Sequence, residues 1–376
     1  MRFGLNEDQV LVRDTVRRFL EDEAPTTVIR ALHENPAGVE SNWWRSATAL
    51  GWALLALPEA GGGITLSGGL GQDLAIVAEE FGRAVAPGAF LPTVLALKAL
   101  ADSPYAERFE DVISAATVGE RRLAYAFAEP GNCWTPRNWQ AAAVPVNGGW
   151  RLDGTKAYVE AGNEADVLVV SARAPDGFVQ LLVPADTSGV ERHAGRSLDF
   201  TRRFATLRFT SVELMQTALV TPVEHAESAI ERQLQLALLL QSAETNGTVE
   251  KAFELTVDYM KQRYAFGRPI ASYQALKHRL ADMLVRIHSC MATTDAGIDA
   301  FDQNADNAHT LSRVAKAFVA AKAAAIVSDL VQMTGGIAVT WEHDLHLYER
   351  RVAVNRAVFG TPEEHRLQIH QALRTA

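Results

Sequence analysis

Cysteine is scarce in this chain of 376 residues, which contains only Cys133 and Cys290. Two thiols cannot form a disulfide framework, and their spacing matches no metal-binding motif. Basic residues are also in the minority, because 36 Lys and Arg face 45 Asp and Glu, for a net charge of −9. A protein that binds nucleic acid duplexes needs a basic surface, so we expect no nucleic acid partner.

Long apolar runs are missing as well. A stretch such as Leu236–Leu240 is far shorter than the roughly 20 residues that a membrane-spanning helix needs. The start of the chain carries Glu7 and Asp8 and has no apolar core, which argues against a signal or transit peptide. The composition, 48% hydrophobic and 22% charged, is typical of globular proteins. We therefore expect a soluble cytoplasmic protein without membrane insertion.

Common nucleotide and hydrolase fingerprints are absent. No GxGxxG follows a predicted strand and opens a helix, no GxxxxGK[ST] phosphate loop occurs, and neither GxSxG nor HExxH is found. Hydrolases and NAD enzymes that are built on these patterns are therefore disfavoured.

The secondary structure predicted from the sequence pattern changes twice along the chain, which predicts domains over residues 1–117, 118–222 and 223–376. The first segment has apolar residues at three- and four-residue steps, which indicates helices. The last is helical again, and its proline-free stretch from Val223 to Tyr264 predicts one long helix. Two further helices are predicted over Ser272–Asn304 and Ala308–Gly335.

The middle segment has short runs of β-branched and aromatic residues. Turn sequences such as Asn147-Gly148-Gly149 separate them, which predicts a small antiparallel barrel or sandwich. The runs are Leu123–Ala128, Ala141–Val146, Trp150–Leu152, Val167–Ser171, Val179–Val183 and Thr206–Phe209.

Two local features each allow two interpretations. Gly335-Gly336 follows a predicted helix and is either a helix cap or a point where the backbone approaches a phosphate. Glu244 lies on the long helix, on a face that also carries Ala237 and Gln241. A carboxylate on such a half-buried face is either a solvated or paired side chain or a catalytic base.

Ordered strings occur in all three segments. They are Leu5-Asn6-Glu7-Asp8-Gln9, Leu57-Pro58-Glu59 and Glu79-Glu80-Phe81-Gly82 in the first, Glu129-Pro130-Gly131 and Gly154-Thr155-Lys156-Ala157-Tyr158-Val159 in the middle, and Arg263-Tyr264-Ala265-Phe266-Gly267-Arg268-Pro269-Ile270 and Gln332-Met333-Thr334-Gly335-Gly336 in the last. In this order the chain resembles the acyl-CoA dehydrogenase family over essentially its whole length. The resemblance implies a mainly α protein with a central β domain: an N-terminal helical domain, a middle antiparallel β-barrel and a C-terminal four-helix bundle.

The resemblance also implies FAD as cofactor. Arg263 would meet its pyrophosphate, Phe266 would pack near the adenine side, and Gln274 would lie close by. Gln332 and Gly335-Gly336 would hold the pyrophosphate from a neighbouring subunit.

Further family positions complete the implied flavin site. Thr361 and Glu363 follow in the terminal motif. Tyr158 belongs to a middle-domain strand that would lie against the flavin. Ala128 stands where the family usually has a threonine before Glu-Pro-Gly, and Glu160 stands where a hydroxyl often contacts the flavin.

The resemblance implies that Glu244 is the catalytic base. In many members a glutamate precedes the C-terminal Gly-Thr, where this chain has Phe359. In a second branch the base sits early in the long helix, at the position of Ala237. Glu244 lies two turns further along the same face. It matches a third pattern, seen in actinobacterial dehydrogenases for steroid and other bulky side-chain thioesters.

The implied reaction is α,β-desaturation of a bulky acyl-CoA thioester. A base removes the α-proton, FAD takes the β-hydride, and an electron-transfer flavoprotein or another acceptor reoxidises the flavin. The expected assembly is a homotetramer or a heterotetramer with a related subunit. Two alternatives remain open. One is a non-catalytic partner subunit that completes a neighbour's flavin site, and the other is a flavin oxidase or monooxygenase on the same fold.

Overall fold

The computed structural model describes residues 4–35, 41–131 and 133–375. The first part of the chain is helical, as its apolar periodicity predicts. Its helices are α1 (Glu7–Glu23), α2 (Thr26–Ala31), α3 (Ser41–Thr48), α4 (Leu70–Arg83), α5 (Phe90–Ala101) and α6 (Glu110–Thr117). Helix α1 begins at a capping box, because the Asn6 side chain accepts from the Gln9 backbone and the Gln9 side chain accepts from the Asn6 N–H.

The middle of the chain forms one eight-stranded sheet. Its strands are β1 (Leu123–Ala126), β2 (Ala142–Val146), β3 (Gly149–Glu160), β4 (Val167–Ala174), β5 (Gly177–Pro184), β6 (Val190–Ala194), β7 (Phe204–Met215) and β8 (Leu219–Thr221). The strand order is β6-β7-β3-β2-β4-β5-β8, and β1 pairs with β4. The runs predicted from the sequence all fall on strands. Two strands are not predicted: β6, because its side chains are mostly exposed, and β8, because it has only three residues.

The predicted antiparallel arrangement needs a correction. Strands β1 and β4 pair in parallel, as β2 and β4 do at Ala142 and Arg173, so the sheet is mixed. The long connection between β1 and β4, which includes the hairpin of β2 and β3, makes the parallel pairing possible. Within the described ranges, no pairing closes the sheet into a barrel.

The last part of the chain is helical again. Its helices are α7 (Val223–Gln262), α8 (Gln274–Asp302), α9 (Ala308–Thr334), α10 (Leu345–Ala357) and α11 (Pro362–Thr375), and a hairpin of β9 (Tyr264–Ala265) and β10 (Arg268–Pro269) follows α7. The three long helices agree with their predicted bounds to within two residues. None of the helices that the structure describes is both long enough and apolar enough to cross a lipid bilayer.

Contacts divide the chain into two compact units. The first contains residues 1–31, 66–86 and 238–376, and the second contains residues 32–65 and 87–237. In the second unit, alternate residues of the strands form an apolar core that includes Leu152, Val170 and Leu207. The predicted domain limits after residues 117 and 222 stay a prediction.

Helices α4 and α7 of the first unit touch through their backbones. A Cβ atom on Gly82 would lie 1.9 Å from the carbonyl oxygen of Glu244, and one on Gly247 would lie 2.0 Å from the carbonyl oxygen of Glu79. The Thr248 hydroxyl donates to the Gly82 carbonyl at 3.2 Å. The crossing therefore admits no side chain at either glycine.

We expect Gly247→Ala to lower the free energy of unfolding by about 2 kcal/mol or more, because the added methyl group would force two helix backbones apart. Urea unfolding measures the change. Gly61→Ala is the control, since its Cβ would meet nothing closer than Pro58 Cγ at 3.5 Å. Equal unfolding midpoints for the two variants would contradict the backbone contact.

Candidate functional site

Two side chains of α10 hold the carboxylate of Glu244. Arg351 Nη1 donates to Oε1 at 2.5 Å, and Asn355 Nδ2 donates to Oε2 at 3.2 Å. The two donors are four residues apart and therefore share one face of the helix. The side chain of Glu244 is 12% exposed and that of Arg351 only 1%. The carboxylate predicted as the base is thus a mostly buried, charge-paired group.

Arg351 and Asn355 are themselves anchored. Arg351 Nη2 donates to the carbonyl of Ala86 at 2.8 Å, and Asn355 Nδ2 also lies 3.1 Å from the Thr245 hydroxyl. Neither α10 residue is predicted from the sequence to have a role. Their four-residue spacing was the available signal, but it does not by itself point to Glu244.

A buried lysine closes the end of α10. Lys316 Nζ donates to the carbonyls of Asn355 and Val358 and to Gln241 Oε1. Its side chain is almost fully buried. The last carbonyls of a helix lack partners within the helix, and a cation there also interacts favourably with the helix dipole. Lys316 therefore fixes the helix that carries Arg351.

The segment after α10 has no acid at the position where many family members carry the base. Phe359 and Gly360 both have positive φ angles, of +60° and +101°, and turn the chain toward α11. His365 contacts the carbonyl of Phe359 at 2.9 Å through Nε2. Burial and the charge of Lys316 lower the pKa of His365 to about 3, so the imidazole is neutral at physiological pH.

The other acids near Glu244 on α7 have a different partner. Glu250 and Glu254 pair with Arg83 at 2.7 and 2.9 Å. Both acids are more exposed than Glu244. Helix α7 thus presents two separate arginine–glutamate clusters in the first unit.

Residues 263–270, which carry one of the strings that resemble the family, form a β-hairpin with a two-residue turn. Phe266 and Gly267 are its central residues, with φ angles of +52° and +80°, as in a type I′ turn. The Phe266 side chain is 97% exposed. A bulky residue held at positive φ costs about 1–3 kcal/mol, and such strain concentrates at functional sites. The ring is therefore accessible to a ligand, and its role in binding stays a prediction.

The hairpin is braced from one side. The Ile270 N–H donates to the carbonyl of Arg263 at 2.8 Å, and the Tyr273 hydroxyl donates to the carbonyl of Ala265 at 3.0 Å. The guanidinium of Arg268 lies 3.9 Å from the centre of the Tyr273 ring. The Arg263 side chain remains exposed, as does that of Gln274 at the start of α8.

The glycine pair after α9 caps the helix, whereas its approach to a phosphate stays a prediction. Gly335 has a φ angle of +83°, and its N–H donates to the carbonyl of Val331 at 2.9 Å, so it caps the helix. A Cβ atom on Gly335 or Gly336 would meet nothing within 4 Å, and Gln332 is exposed beside them. The backbone of the pair is therefore open to a ligand.

Thr361 and Glu363 take part in local contacts at the start of α11. The N–H and hydroxyl of Thr361 both donate to Glu364 Oε2, at 2.7 and 3.0 Å, and Glu363 pairs with Arg356 at 2.9 Å. In the part of the chain that the structure describes, no hydrogen bond joins Thr361 or Glu363 to the hairpin or to the glycine pair.

The middle-sheet positions offer few hydrogen-bond donors. Ala128 is buried, and its carbonyl accepts from the Ala157 N–H at 2.9 Å. Glu160 forms a two-bond ion pair with the buried Arg202, whose Nε lies 2.7 Å from Oε1. The ring of Tyr158 is stacked on that of Trp134, with centres 5.8 Å apart. Glu160, whose carboxylate is already paired with Arg202, therefore stands where the resemblance implies a hydroxyl group.

A buried ion pair between Lys156 and Glu129, which is not predicted from the sequence, holds the backbone at Gln140 and Ala141. Lys156 Nζ donates to Glu129 Oε1 at 3.0 Å and lies 3.9 Å from the centre of the Trp139 ring. Glu129 also accepts the N–H groups of Gln140 and Ala141. Burial lowers the pKa of Lys156 to about 8.

These residues fit a dinucleotide cofactor in part. The first unit presents an exposed guanidinium, an exposed aromatic ring, amide side chains and a backbone without side chains, which suit a pyrophosphate and an adenine. The middle sheet presents an alanine and a paired glutamate where hydroxyl donors are expected. The residues of the first unit therefore fit the cofactor better than those of the middle sheet do.

Models of one protein family match the two helical parts of the chain. Residues 6–103 match the family model "Acyl-CoA dehydrogenase, N-terminal domain" and residues 227–374 match "Acyl-CoA dehydrogenase, C-terminal domain". The chain is 32% identical to acyl-CoA dehydrogenase IpdE2 of Mycolicibacterium smegmatis (strain ATCC 700084 / mc(2)155) over 361 residues, covering 96% of this chain and 97% of the relative.

Two further similarities agree with this match. IpdE2 of Mycobacterium tuberculosis (strain ATCC 25618 / H37Rv) is 31% identical, with 95% of each chain covered. A solved structure of the Tcur3481-Tcur3483 steroid acyl-CoA dehydrogenase superposes with a TM-score of 0.89 at 28% identity, with 99% of each chain covered.

We expect Arg263→Ala to weaken flavin binding at least tenfold, because a hydrogen bond to a charged group contributes about 1.5–3 kcal/mol. The flavin-to-protein absorbance ratio after gel filtration measures this in whichever purified form carries flavin. Lys261→Ala removes a nearby exposed cation and should retain the flavin. Flavin retention by Arg263→Ala equal to that of the control would refute the role of Arg263.

Proposed function

Because the chain belongs to the acyl-CoA dehydrogenase family, we propose that it is a FAD-dependent enzyme that introduces an α,β double bond into an acyl-CoA thioester. The chain is an oxidoreductase of that family, and the family implies a flavin. The proposal extends to the group that removes the proton and to the substrate class.

We assign the proton removal to Glu244. The observation that carries this assignment is the fixed, mostly buried carboxylate on α7, paired with Arg351 and Asn355. The two other positions at which family members place a base are Phe359 and Ala237, and neither can accept a proton. The nearby acids Glu250 and Glu254, which pair with Arg83, are more exposed than Glu244 and match none of the three family positions for a base.

The chemistry of the step follows from these groups. The thioester carbonyl acidifies the α-proton, and a carboxylate with few water contacts accepts it at low reorganisation cost. The flavin, when bound, supplies the acceptor for the hydride from the β-carbon. Arg263, Gln332 and the Gly335-Gly336 backbone would hold the phosphates. An electron-transfer flavoprotein or another acceptor would then reoxidise the enzyme.

A bulky thioester is the proposed substrate class. One of the solved structures that resemble this chain is that of a steroid acyl-CoA dehydrogenase. Early in α7, Gln235 and Leu238 stand where some family members have charged contacts to CoA, and both are buried here. The proposal therefore rests on the Glu244 pattern and on the loss of those charges.

A second candidate function is supported by the middle sheet. By the resemblance, Tyr158 and Glu160 would stand near the isoalloxazine, and in this chain Trp134 stacks on Tyr158 while Arg202 pairs with Glu160. The chain would then complete the flavin site of a related subunit through its hairpin and glycine pair. A colourless protein that becomes yellow only when it is produced with a related chain would favour this function.

We expect Glu244→Gln to slow flavin reduction by at least about 10²-fold, because a general base contributes roughly 10²–10⁴-fold and glutamine cannot accept the proton. Anaerobic stopped-flow mixing with saturating thioester measures the rate. The flavin content should persist, since the two side chains are nearly isosteric.

Glu254→Gln is the matched control for that experiment. This variant also removes a carboxylate of α7 that pairs with an arginine, yet we assign Glu254 no proton transfer. The control should keep most of the activity. A Glu244→Gln protein within a few-fold of wild type would place the base elsewhere.

We expect a steroid-side-chain CoA thioester to bleach the flavin faster than octanoyl-CoA or butyryl-CoA does. The reason is that a pocket adapted to a bulky acyl group leaves a short chain poorly oriented for reaction. Anaerobic bleaching with each thioester at equal concentration compares them. Fastest bleaching by butyryl-CoA would overturn the proposed substrate class.

A further inference from the structure

One guanidinium joins Glu244 to a second, fixed point of the first unit. Arg351 donates through Nη1 to the Glu244 carboxylate and through Nη2 to the carbonyl of Ala86. Because the guanidinium is planar and rigid, its two hydrogen bonds constrain each other. The carboxylate therefore cannot rotate with its partner without breaking the bond to Ala86.

The helix that carries Arg351 is also held in place. Lys316 donates to the carbonyls of Asn355 and Val358 at the end of α10. At the other side, the Tyr348 hydroxyl donates to the carbonyl of Arg83 at 3.1 Å. The donors that face Glu244 thus stand on a helix fixed at several points along its length.

The backbone beneath the carboxylate is equally constrained. The carbonyl of Glu244 lies against Gly82, where no Cβ atom would fit. Both the backbone and the side chain of Glu244 are therefore restrained, each by a different neighbouring helix. A stabilising ion pair alone would not require this second restraint, whereas a group that must meet a reacting carbon benefits from it.

We infer that Arg351 is a positioning residue for proton removal, which orients the Glu244 carboxylate through its bond to Ala86. This inference rests on the proposed role of Glu244. Arg351 does not exchange a proton with the substrate and acts only through the carboxylate. It follows that its effect on the rate must vanish when Glu244 is no longer a base.

The test is a double-mutant cycle on the flavin-loaded protein. We expect Arg351→Gln to slow flavin reduction roughly 10²-fold, because misplacement by about 1 Å costs on this order. The double variant Glu244→Gln/Arg351→Gln should be as slow as Glu244→Gln alone, since residues that act as a unit are not additive. The thioester that reduces the wild type fastest of the three named above serves as substrate.

A second readout follows proton removal without any hydride transfer. The 3-thia analogue of that thioester has sulfur at the β-position, so only its α-protons can leave. Exchange of these protons with D₂O should fall in Arg351→Gln in the same proportion as the reduction rate. Binding of the analogue, measured by calorimetry, should change by less than about threefold, since positioning energy appears in kcat rather than in KM.

Arg83→Gln is the matched control, because Arg83 is also a largely buried arginine paired with glutamates of α7. Its rate should stay within a few-fold of wild type. If Arg351→Gln does not fold, Arg351→Lys and Asn355→Ala replace it in the same cycle, and Arg351→Lys should recover part of the rate because it keeps the cation.

The outcomes test the role of Glu244 and the role of Arg351 separately. A fast Glu244→Gln protein would refute the proposed base, whatever Arg351 does. A slow Glu244→Gln protein together with a fast Arg351→Gln protein would refute the positioning role alone. An Arg351→Gln effect that persists in the Glu244→Gln background would also refute it, because the arginine would then act independently of the carboxylate.

Discussion

The close approach of α4 and α7 is the constraint on which the rest of the candidate site depends. At Gly82 and Gly247 the two helices touch main chain to main chain, and Glu244 lies at that crossing. The segment that follows α4 supplies the Ala86 carbonyl to which Arg351 is tied. One helix pair therefore determines both the place of the carboxylate and the place of the group that orients it. Helix α10 completes the arrangement, and the buried Lys316 holds its end.

Much of this architecture could be predicted from the sequence because it depends on local signals. The absence of proline between Val223 and Tyr264 predicts α7, and Asn147-Gly148-Gly149 predicts the turn between β2 and β3. The parallel pairing of β1 with β4 could not be predicted, because strand direction depends on a long connection rather than on the composition of either strand. The partners of Glu244 were not predicted either. Arg351 is more than one hundred residues away along the chain, and an arginine on a helix is usually a surface residue.

The candidate site residues divide into two groups with different chemistry. The hairpin and the glycine pair keep exposed groups that suit a phosphate and an aromatic base, and they are open in this chain. The middle-sheet positions are internally satisfied, since Glu160 pairs with Arg202 and Tyr158 stacks on Trp134. Residues that are satisfied within the chain gain less from a ligand than residues that are not. This contrast is the physical reason why the two proposed functions, dehydrogenase and partner subunit, predict different flavin contents for the isolated chain.

The exposed Phe266 has a consequence for how the protein behaves in solution. Its turn is already built and braced by Tyr273, so covering the ring would cost little conformational entropy. The same rigidity means that an uncovered ring cannot fold back onto its own chain to escape water. A preparation in which the hairpin stays uncovered therefore carries a permanent apolar projection on every molecule. Each molecule then exposes an aromatic ring whose burial by a ligand or a second chain would remove apolar surface from water at little entropic cost.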